Sequence, residues 1–471
     1  MGTADESIFY DLIYPHFQKI CNIKHPSGDE KELIQFVQDF ADNLNLKNVT
    51  DSLGNVAVYK NASAGMENKP ALLFQGHLDM VCVPDKNIFP VKPVITDGWV
   101  HTEGTSLGAD NGIAIAIMLE LMKMDFDKNP PLEFLFTISE EVGLIGASKI
   151  DTDKIKLSAS KLINIDSEEI DFITIGCAGG QDLEIYIDTS LQDNKSEKAL
   201  KISVTGPGGH SGIVINEKIP NALRILAELI DRLNDVSIAE ISGGMARNAI
   251  PPDAQAVISS DTLSEADVIK EVENLKGKYI DFKPFEVDIE KVSNPNNILK
   301  DESAEKIIYL LLELPHGVIK NNPDTGGILS SINLALLQQK DNSFVLSVNS
   351  RSSDSNEINE IFNNVESICS KKAGINPKRE DGYPGWRPNV DSELLKTASG
   401  VFEKALGKKP ELLDIHAGLE CGILMDKFPV IKEAISIGPN LFEVHSVKER
   451  LEIESTIKIW DIILKLINEY C

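Results

Sequence analysis

The 471-residue sequence has little cysteine and a shortage of positive charge. Its six cysteines form neither a CxxC pair nor a closely spaced framework, which favours a reducing compartment over a disulfide-stabilised secreted domain. The formal net charge is −27, which argues against a nucleic-acid-binding protein and against attraction to an anionic membrane surface. We therefore expect neither nucleic acid nor membrane among the partners.

Long apolar runs and targeting segments are also missing. No stretch is apolar enough to span a bilayer, and the start, MGTADESIFYDLIYPHF, lacks the basic region and apolar core of a signal peptide. The hydrophobic share of 42% is ordinary for a globular protein, and 471 residues are enough for two domains. These features predict a cytoplasmic protein.

Acidic and histidine side chains recur where apolar runs of strand length end. His77 and Asp79 follow LLFQG, Glu140 and Glu141 follow FLFTIS, and Asp166 follows LINI. In open α/β sheets the carboxyl ends of the strands border the ligand crevice, so side chains from distant segments can converge there. The pattern predicts an active site built from strand ends.

Each motif also has a purely structural interpretation. A His-Leu-Asp sequence at a strand end is usually a hydrogen-bonded loop, and Asp110 before Asn-Gly could be a turn residue or a helix cap. Glu140 and Glu141 could be favoured by the dipole of a helix N-terminus. The joint occurrence of the motifs favours a functional cluster, because independent caps have no reason to follow this order.

The residue types indicate a two-metal hydrolytic centre. Imidazole nitrogen and carboxylate oxygen suit zinc, manganese or cobalt, and two ions roughly 3.5–4 Å apart can hold an attacking water and the oxygen that becomes negative. On a strand, the His-x-Asp spacing turns both side chains to one face, where Asp79 could orient His77. Of Glu140 and Glu141, one can bind a metal ion while the other moves a proton from the water to the leaving nitrogen.

The motifs resemble those of the M20 metallopeptidases, in particular the Xaa-His (aminoacyl-histidine) dipeptidases. The resemblance covers nearly the whole chain, and it rests on GHLDMV, GTSLGADNGIAIAI, ISEEVGLIGA, LINIDSEE, GPGGHSG, GYPGWRP, IHAGLECG and FEVHSVKER. It implies hydrolysis of Xaa-His dipeptides such as carnosine and of other short peptides with a free C-terminus. The alternatives are N-acyl-amino-acid deacylation or carboxypeptidase action with the same centre, and a non-catalytic binding protein with the same fold.

The resemblance also implies the cofactors and the catalytic base. The cofactors would be two divalent metal ions, with zinc preferred and cobalt or manganese as alternatives. Glu140 would be the general base. Five residues would bind the ions: Asp110 as the bridge, His77 and Asp166 in one site, and Glu141 and His445 in the other. His445 is implied by the resemblance alone, because a histidine at such a position is ordinarily a surface or interface residue.

Four further residues are candidates for contact with the substrate. The resemblance implies that His210 in GPGGHSG stabilises the oxyanion, whereas the alternative is a polar residue in a glycine-rich turn. Arg351 in VNSRSS could clamp the free carboxylate of the substrate, since guanidinium matches its two oxygens, and a surface salt bridge is the alternative. Asn248 and Glu420 are the other two candidates.

The order of strand and helix patterns predicts a catalytic domain with an insertion. Strands and helices alternate to about Gly180, as in an α/β domain with a mostly parallel sheet. A second pattern of strands and amphipathic helices follows, and its coarse order occurs twice. We predict a catalytic domain at residues 1–180 and 385–471 and a lid domain at residues 181–384, whose two halves are ferredoxin-like. A homodimer is possible, because many M20 proteins pair through the lid.

Overall fold

A computed structural model describes residues 4–323, 325–340 and 343–471 of the chain. The chain forms two compact units, which we call unit 1 (Met1–Cys177, Trp386–Asp414 and Leu419–Cys471) and unit 2 (Ala178–Gly385 and Ile415–Gly418). Each unit has its own cluster of buried apolar side chains.

The α-helices are α1 (Ala4–Ser7), α2 (Tyr14–Cys21), α3 (Lys31–Asn43), α4 (Ala109–Lys123), α5 (Ile145–Ser148), α6 (Ser211–Val214), α7 (Ala222–Arg232), α8 (Glu265–Lys278), α9 (Asp301–Glu313), α10 (Ser355–Ile368), α11 (Glu393–Leu406), α12 (Glu420–Lys427) and α13 (Ile453–Glu469). Two π-helical segments cover Ile8–Ile13 and Cys369–Ala373.

The strands are β1 (Lys47–Thr50), β2 (Val56–Lys60), β3 (Leu72–His77), β4 (Val94–Thr96), β5 (Trp99–His101), β6 (Leu132–Thr137), β7 (Lys161–Asn164), β8 (Phe172–Cys177), β9 (Gly179–Asp188), β10 (Leu191–Asp193), β11 (Ala199–Thr205), β12 (Gly209–His210), β13 (Ser237–Gly243), β14 (Ala249–Ile250), β15 (Asp253–Ser259), β16 (Glu286–Val292), β17 (Asn297–Leu299), β18 (Gly317–Asn321), β19 (Ile328–Lys340), β20 (Ser343–Ser352), β21 (Lys378–Tyr383), β22 (Glu411–Ile415), β23 (Glu433–Ser436), β24 (Leu441–Phe442) and β25 (Arg450–Glu452).

The main sheet of unit 1 is mixed and has parallel strands at its centre. Its strand order is β1-β2-β6-β3-β7-β23-β8-β22. β6, β3, β7 and β23 are parallel to one another, whereas β2 and β8 pair with them antiparallel. Every residue of β3, β6 and β7 is buried, which is typical of central parallel strands covered on both faces. The carboxyl ends of these three strands are therefore neighbours.

Helix α4 lies inside the core of unit 1. Its sequence, ADNGIAIAIMLELMK, is apolar around almost the whole circumference, and nearly all of its residues are buried. Gly108, just before the helix, has a φ of 71°, which glycine adopts without strain. A Cβ atom on Gly108 would lie 2.6 Å from Sδ of Met80. The tight turn at this glycine places Asp110 at the start of the helix.

The main sheet of unit 2 is antiparallel and is built from two ferredoxin-like halves, with β18 added beside β19. In the first half, β11, α7, β13, β15, α8 and β16 follow one another along the chain, and the strand order is β16-β11-β15-β13. In the second half, β9, α9, β19, β20, α10 and β21 give the order β21-β9-β20-β19. Both match the β-α-β-β-α-β arrangement, and pairing of β13 with β19 joins the halves. The predicted α/β fold class with ferredoxin-like halves is confirmed.

Capping side chains mark the starts of two helices of unit 2. The side chain of Asn221 accepts the backbone N–H of Arg224 at the start of α7. Ser264 and Asp267 form a capping box at the start of α8. Both helices turn their apolar faces to the core of the unit.

Within the described ranges, no helix has both the length and the apolar composition needed to cross a membrane. The six cysteines all carry free thiols. Four of these cysteines are buried: Cys21, Cys177, Cys369 and Cys421.

Candidate metal centre

Three neighbouring strands of unit 1 bring candidate ligands to one edge of the sheet. His77 is the last residue of β3. Glu140 and Glu141 follow β6, and Asp166 follows β7. Because β6, β3 and β7 are adjacent and parallel, these side chains meet although they are far apart in sequence.

Two groups of possible metal ligands share Asp110. Nε2 of His77 lies 3.1 Å from Oδ1 of Asp110 and 3.4 Å from Oδ1 of Asp166. On the other side, Nε2 of His445 lies 3.1 Å from Oδ2 of Asp110 and 2.7 Å from Oε1 of Glu141. The two oxygens of one carboxylate therefore face two separate groups of ligands. The structure thus brings together all five residues that the resemblance implies as ligands.

Asp79 connects His77 to the glutamate pair. Nδ1 of His77 lies 3.0 Å from the carbonyl oxygen of Asp79 and 3.4 Å from its Oδ1. Both atoms are acceptors, so Nδ1 carries the proton and Nε2 is left to bind a metal ion. The carboxylate of Asp79 also accepts the backbone N–H groups of Glu140 at 2.9 Å and Glu141 at 3.2 Å. This second contact could not be predicted from the sequence.

Asn111 forms a further polar link that sequence reasoning missed. Its side-chain amide donates to Oδ1 of Asp166 at 2.8 Å and to the carbonyl of Ile165 at 2.7 Å. Its side-chain oxygen accepts the backbone N–H of His77 at 3.2 Å. One amide thus ties β3 to the end of β7. Its position next to Asp110 in the sequence is the only signal that could have identified it.

Burial and mutual charge shift the pKa values of the cluster. Although burial disfavours the charged imidazole of His77, Asp166 and the other nearby carboxylates raise its pKa well above the usual value. A hydrogen bond to Asp110, and one to a second carboxylate, raise the pKa of His445 to about 11. The pKa of Glu140 is raised well above its usual value, mainly by burial and in addition by neighbouring carboxylates. These shifts express an excess of negative charge that a divalent cation would neutralise.

The donor atoms fit a pair of divalent cations. Each group contains one imidazole nitrogen and carboxylate oxygens, and the candidate atoms within each group lie within 4.8 Å of one another. Zinc, manganese and cobalt all accept this combination of ligands. A carboxylate that uses one oxygen for each group, as Asp110 does, is what a two-metal site requires.

Three of the other predicted site residues, His210, Asn248 and Arg351, lie in unit 2. His210 ends β12, is partly buried, and has an Nδ1 atom without a hydrogen-bond partner among the described residues. The pKa of His210 is lowered, mainly by burial and in addition by the charge of Arg351. The neutral imidazole is therefore favoured. Asn248 is exposed, and its carbonyl accepts the backbone N–H of Ser211 at 2.8 Å.

Arg351 lies on β20 and is 5% exposed. Its Nη1 donates to the hydroxyl of Tyr383 at 3.2 Å, while its Nε has no hydrogen-bond partner in the described part of the chain. No carboxylate of the described residues forms an ion pair with this guanidinium, so the surface salt bridge considered above is absent there. A buried guanidinium in this state can accommodate an anion, because burying an unpaired charge is costly.

Arg351 belongs to a polar face that sequence reasoning missed. In the β19–β20 ladder, Ser331 pairs with Arg351 and Asn333 pairs with Asn349. Nε2 of His416 lies 2.7 Å from Oγ of Ser331. Several atoms of this face have no hydrogen-bond partner in the described ranges: Oδ1 of Asn333, Oδ1 of Asn349, Nε of Arg351 and Nδ1 of His416. The alternation of polar and apolar residues in SSINLALL and VLSVNSRSS could have revealed this face, since the residues between them enter the core.

Glu420 lies in unit 1 and is completely buried. Its Oε2 accepts hydrogen bonds from Nε2 of Gln75 at 2.5 Å and from Oγ1 of Thr137 at 2.6 Å. Burial is the main cause that raises the pKa of Glu420 to about 7. Its partners lie two residues before the end of β3 and at the end of β6, so Glu420 supports the strands that carry candidate metal ligands.

Comparisons with known proteins agree with this chemistry. Residues 73–469 match the peptidase family M20/M25/M40. The chain is 33% identical to the cytosol non-specific dipeptidase of Escherichia coli K12, over 96% of each chain. Its fold matches the crystal structure of aminoacylhistidine dipeptidase from Vibrio alginolyticus with a TM-score of 0.87 and 29% identity, covering 99% of this chain and 98% of the other. A tripeptidase from Staphylococcus aureus shares the fold, with a TM-score of 0.57, 18% identity and 98% coverage of both chains.

Proposed function

We propose that this chain, which belongs to the peptidase family M20/M25/M40, is a metal-dependent dipeptidase. The observation that carries the proposal is the position of Asp110, whose two carboxylate oxygens face two separate groups of ligands. Similarity to a cytosol non-specific dipeptidase over 96% of both chains supports dipeptides as the substrate class. The coarser conclusion, a metallopeptidase of this family, follows from the family match.

We propose that the protein binds two metal ions, with zinc preferred and cobalt or manganese as alternatives. His77 and Asp166 would hold one ion, Glu141 and His445 the other, and Asp110 both. When bound, two such ions lower the pKa of a water and polarise the carbonyl of the peptide.

Glu140 is proposed as the general base. Its backbone is held by the carboxylate of Asp79 at 2.9 Å, and its neighbour Glu141 faces His445 at 2.7 Å. Glu140 is therefore next to a ligand but outside the two groups that share Asp110. In this role it takes a proton from the attacking water and returns it to the nitrogen of the leaving amino acid.

Three side chains of unit 2 are proposed to bind the substrate. Arg351 would pair with the free carboxylate, because its guanidinium is buried and its Nε is without a hydrogen-bond partner in the described chain. His210, as a neutral imidazole, would donate a hydrogen bond to the oxyanion. Asn248 would make a polar contact with the peptide. The resemblance and the polar face around Arg351 support these roles.

We propose Xaa-His dipeptides as preferred substrates, in line with the name of the Vibrio alginolyticus protein whose fold this chain shares. The test is an activity panel of metal-reconstituted protein with carnosine, other Xaa-His dipeptides, non-histidine dipeptides, tripeptides and N-acetyl amino acids. Hydrolysis of dipeptides above all others is expected. Faster cleavage of N-acetyl amino acids would instead favour a deacylase, and binding without turnover across the panel would favour a non-catalytic protein.

The remaining proposals concern organisation and location. We propose that unit 1 is the catalytic domain and that unit 2 is the lid domain that contributes substrate-binding groups. A cytoplasmic location is proposed from the name of the Escherichia coli relative and the cysteine usage. A homodimer is proposed from the family resemblance alone. Sedimentation of the purified protein measures its oligomeric state.

A further inference from the structure

Another buried carboxylate, that of Glu449, accepts hydrogen bonds from the backbone of the segment that leads to Asp110. Glu449 is 2% exposed and lies four residues after His445 in the sequence. Its Oε2 accepts the backbone N–H groups of Leu107 at 2.8 Å and Gly108 at 3.0 Å. Its Oε1 accepts those of Ala109 at 2.8 Å and Asp110 at 3.4 Å. Four successive backbone donors therefore converge on one side chain.

This arrangement fixes the backbone from which the side chain of Asp110 extends. An ionised carboxylate has only acceptor atoms, and its two oxygens offer about four lone-pair sites, which matches four N–H donors. The left-handed turn at Gly108, with a φ of 71°, allows the consecutive donors to point inward. The position of the shared ligand thus depends on a residue far away in the sequence.

The same segment that carries Glu449 also carries His445. The turn between them is held by hydrogen bonds from Oγ of Ser446 to the carbonyl of Glu443 at 2.6 Å and from the N–H of Lys448 to Oγ of Ser446 at 3.0 Å. His445 contacts the side chain of Asp110, and Glu449 contacts its backbone. One turn therefore holds Asp110 from two sides.

The adjoining strands fix this turn to the Asp110 segment. β25 begins directly after Glu449, and its Arg450 pairs with His101 of β5. The chain from His101 leads to Leu107, the first of the four donors. The segment that leads to Asp110 and the turn that carries Glu449 thus extend from two paired strands, β5 and β25.

We infer that Glu449 is a positioning residue for the metal centre, which sets the place of Asp110 and couples it to His445. The inference rests on the proposed metal-binding function. Because Asp110 faces both groups of ligands, loss of Glu449 weakens binding of both ions together. Loss of a hydrogen-bonded support of metal ligands typically costs roughly 10–100-fold in metal affinity.

The test compares Glu449→Gln with Glu133→Gln in the full chain. Glutamine keeps the shape of the side chain but turns an NH2 group toward two of the four donors. Glu133 is a matched control, because it is 4% exposed and accepts the backbone N–H groups of Ser158 and Ala159 at 2.9 and 3.1 Å, away from the metal ligands. The measurements are zinc affinity of both sites by competition with a chelator, and the visible spectrum of the cobalt-loaded protein.

Glu449→Gln is expected to weaken both zinc sites by roughly 10–100-fold and to change the cobalt spectrum. The control is expected to lower only the unfolding temperature. Wild-type zinc affinity and an unchanged cobalt spectrum in Glu449→Gln would overturn the inference. If that variant does not fold, Glu449→Asp, which keeps the charge but is shorter, takes its place; failure of both to fold overturns the positioning role in favour of a folding role. A wild-type protein that binds fewer than two ions contradicts the proposed function instead.

Discussion

Nε2 of His445 lies 2.7 Å from Oε1 of Glu141, although 304 residues separate them in the chain. Asp110 lies beside both, with its Oδ2 3.1 Å from the same nitrogen. Three segments of the chain therefore meet at one potential metal site. This convergence leads to predictions for the metal ions, for each member of the glutamate pair and for the residues that hold them.

Removal of metal is expected to abolish peptide hydrolysis while the fold persists, because unit 1 has a large apolar core of its own. Activity and far-ultraviolet circular dichroism are measured after chelation, and again after addition of zinc, manganese or cobalt. Full activity in protein that elemental analysis shows to be free of metal would rule out a two-metal mechanism.

Glu140→Gln and Glu141→Gln are expected to differ. Glu140→Gln should keep both metal ions and lose roughly 10²–10⁴ in kcat, as for removal of a general acid-base. Glu141→Gln should lower the occupancy of one site, because Glu141 lies 2.7 Å from His445 in the second group of ligands. Metal content and kcat are measured on both variants. Equal loss of metal in the two would mean that the roles are reversed or shared.

Asp79→Asn is expected to lower both metal affinity and kcat, by roughly 10–100-fold. Each oxygen of the Asp79 carboxylate accepts one N–H group, from Glu140 or from Glu141, so the NH2 group of an asparagine would face one of these two donors. Asp51→Asn is the control, since Asp51 is a buried carboxylate of unit 1 that accepts the N–H of Gly54 at 2.9 Å. If both variants lose only thermal stability, Asp79 has no special role at the metal centre.

Arg351→Ala is expected to raise KM and leave metal content unchanged. It should also narrow the difference in KM between a dipeptide and its C-terminally amidated analogue, because that difference measures recognition of the free carboxylate. Arg379→Ala is the control, since Arg379 of unit 2 pairs with Glu366 at 2.7 Å. If Arg351→Ala still discriminates against the amide as strongly as wild type, another group binds the carboxylate.

His210→Ala is expected to depress kcat without loss of metal. A neutral donor aimed at a developing oxyanion acts mainly in the transition state, so KM should change little. His316→Ala is the control, since His316 is a second histidine of unit 2 with a pKa lowered by burial, to about 3. A fall in kcat of equal size in both variants would indicate a general effect on unit 2.

As the pH is lowered from about 6.5 to about 4, the free energy of unfolding is expected to decrease, in part because of His25. Burial lowers the pKa of His25 from 6.5 to about 4, so in this window the unfolded chain binds a proton that the folded chain does not. Stability therefore rises with pH across the window. His25→Asn, which can still donate to the carbonyl of Ile23, should flatten the profile. The free energy of unfolding of wild type and of His25→Asn is measured by denaturant titration at several pH values, after chelation of metal from both proteins. Identical pH profiles of the two proteins would contradict the prediction.

The sequence alone determined the elements and the local placement of several site residues. Buried central strands are continuous apolar runs, so the ends of β3, β6 and β7 could be located at, or within three residues before, His77, Glu140 and Asp166. Polar and apolar residues with a period of two likewise define the strands of unit 2. These signals are local, because each depends only on residues within one strand or helix.

The tertiary structure decided which of these distant segments meet. The strand order β6-β3-β7-β23 brings together the strand ends that carry the candidate metal ligands. The turn before β25 places His445 at the side chain of Asp110 and Glu449 at its backbone. In unit 2, pairing of β19 with β20 sets Ser331 opposite Arg351, and His416 reaches Ser331 from 85 residues away. No periodicity encodes such contacts, because they depend on how separate strands and turns pack against one another. For His445 the sequence offered only a family resemblance, and for Glu449 it offered no signal at all.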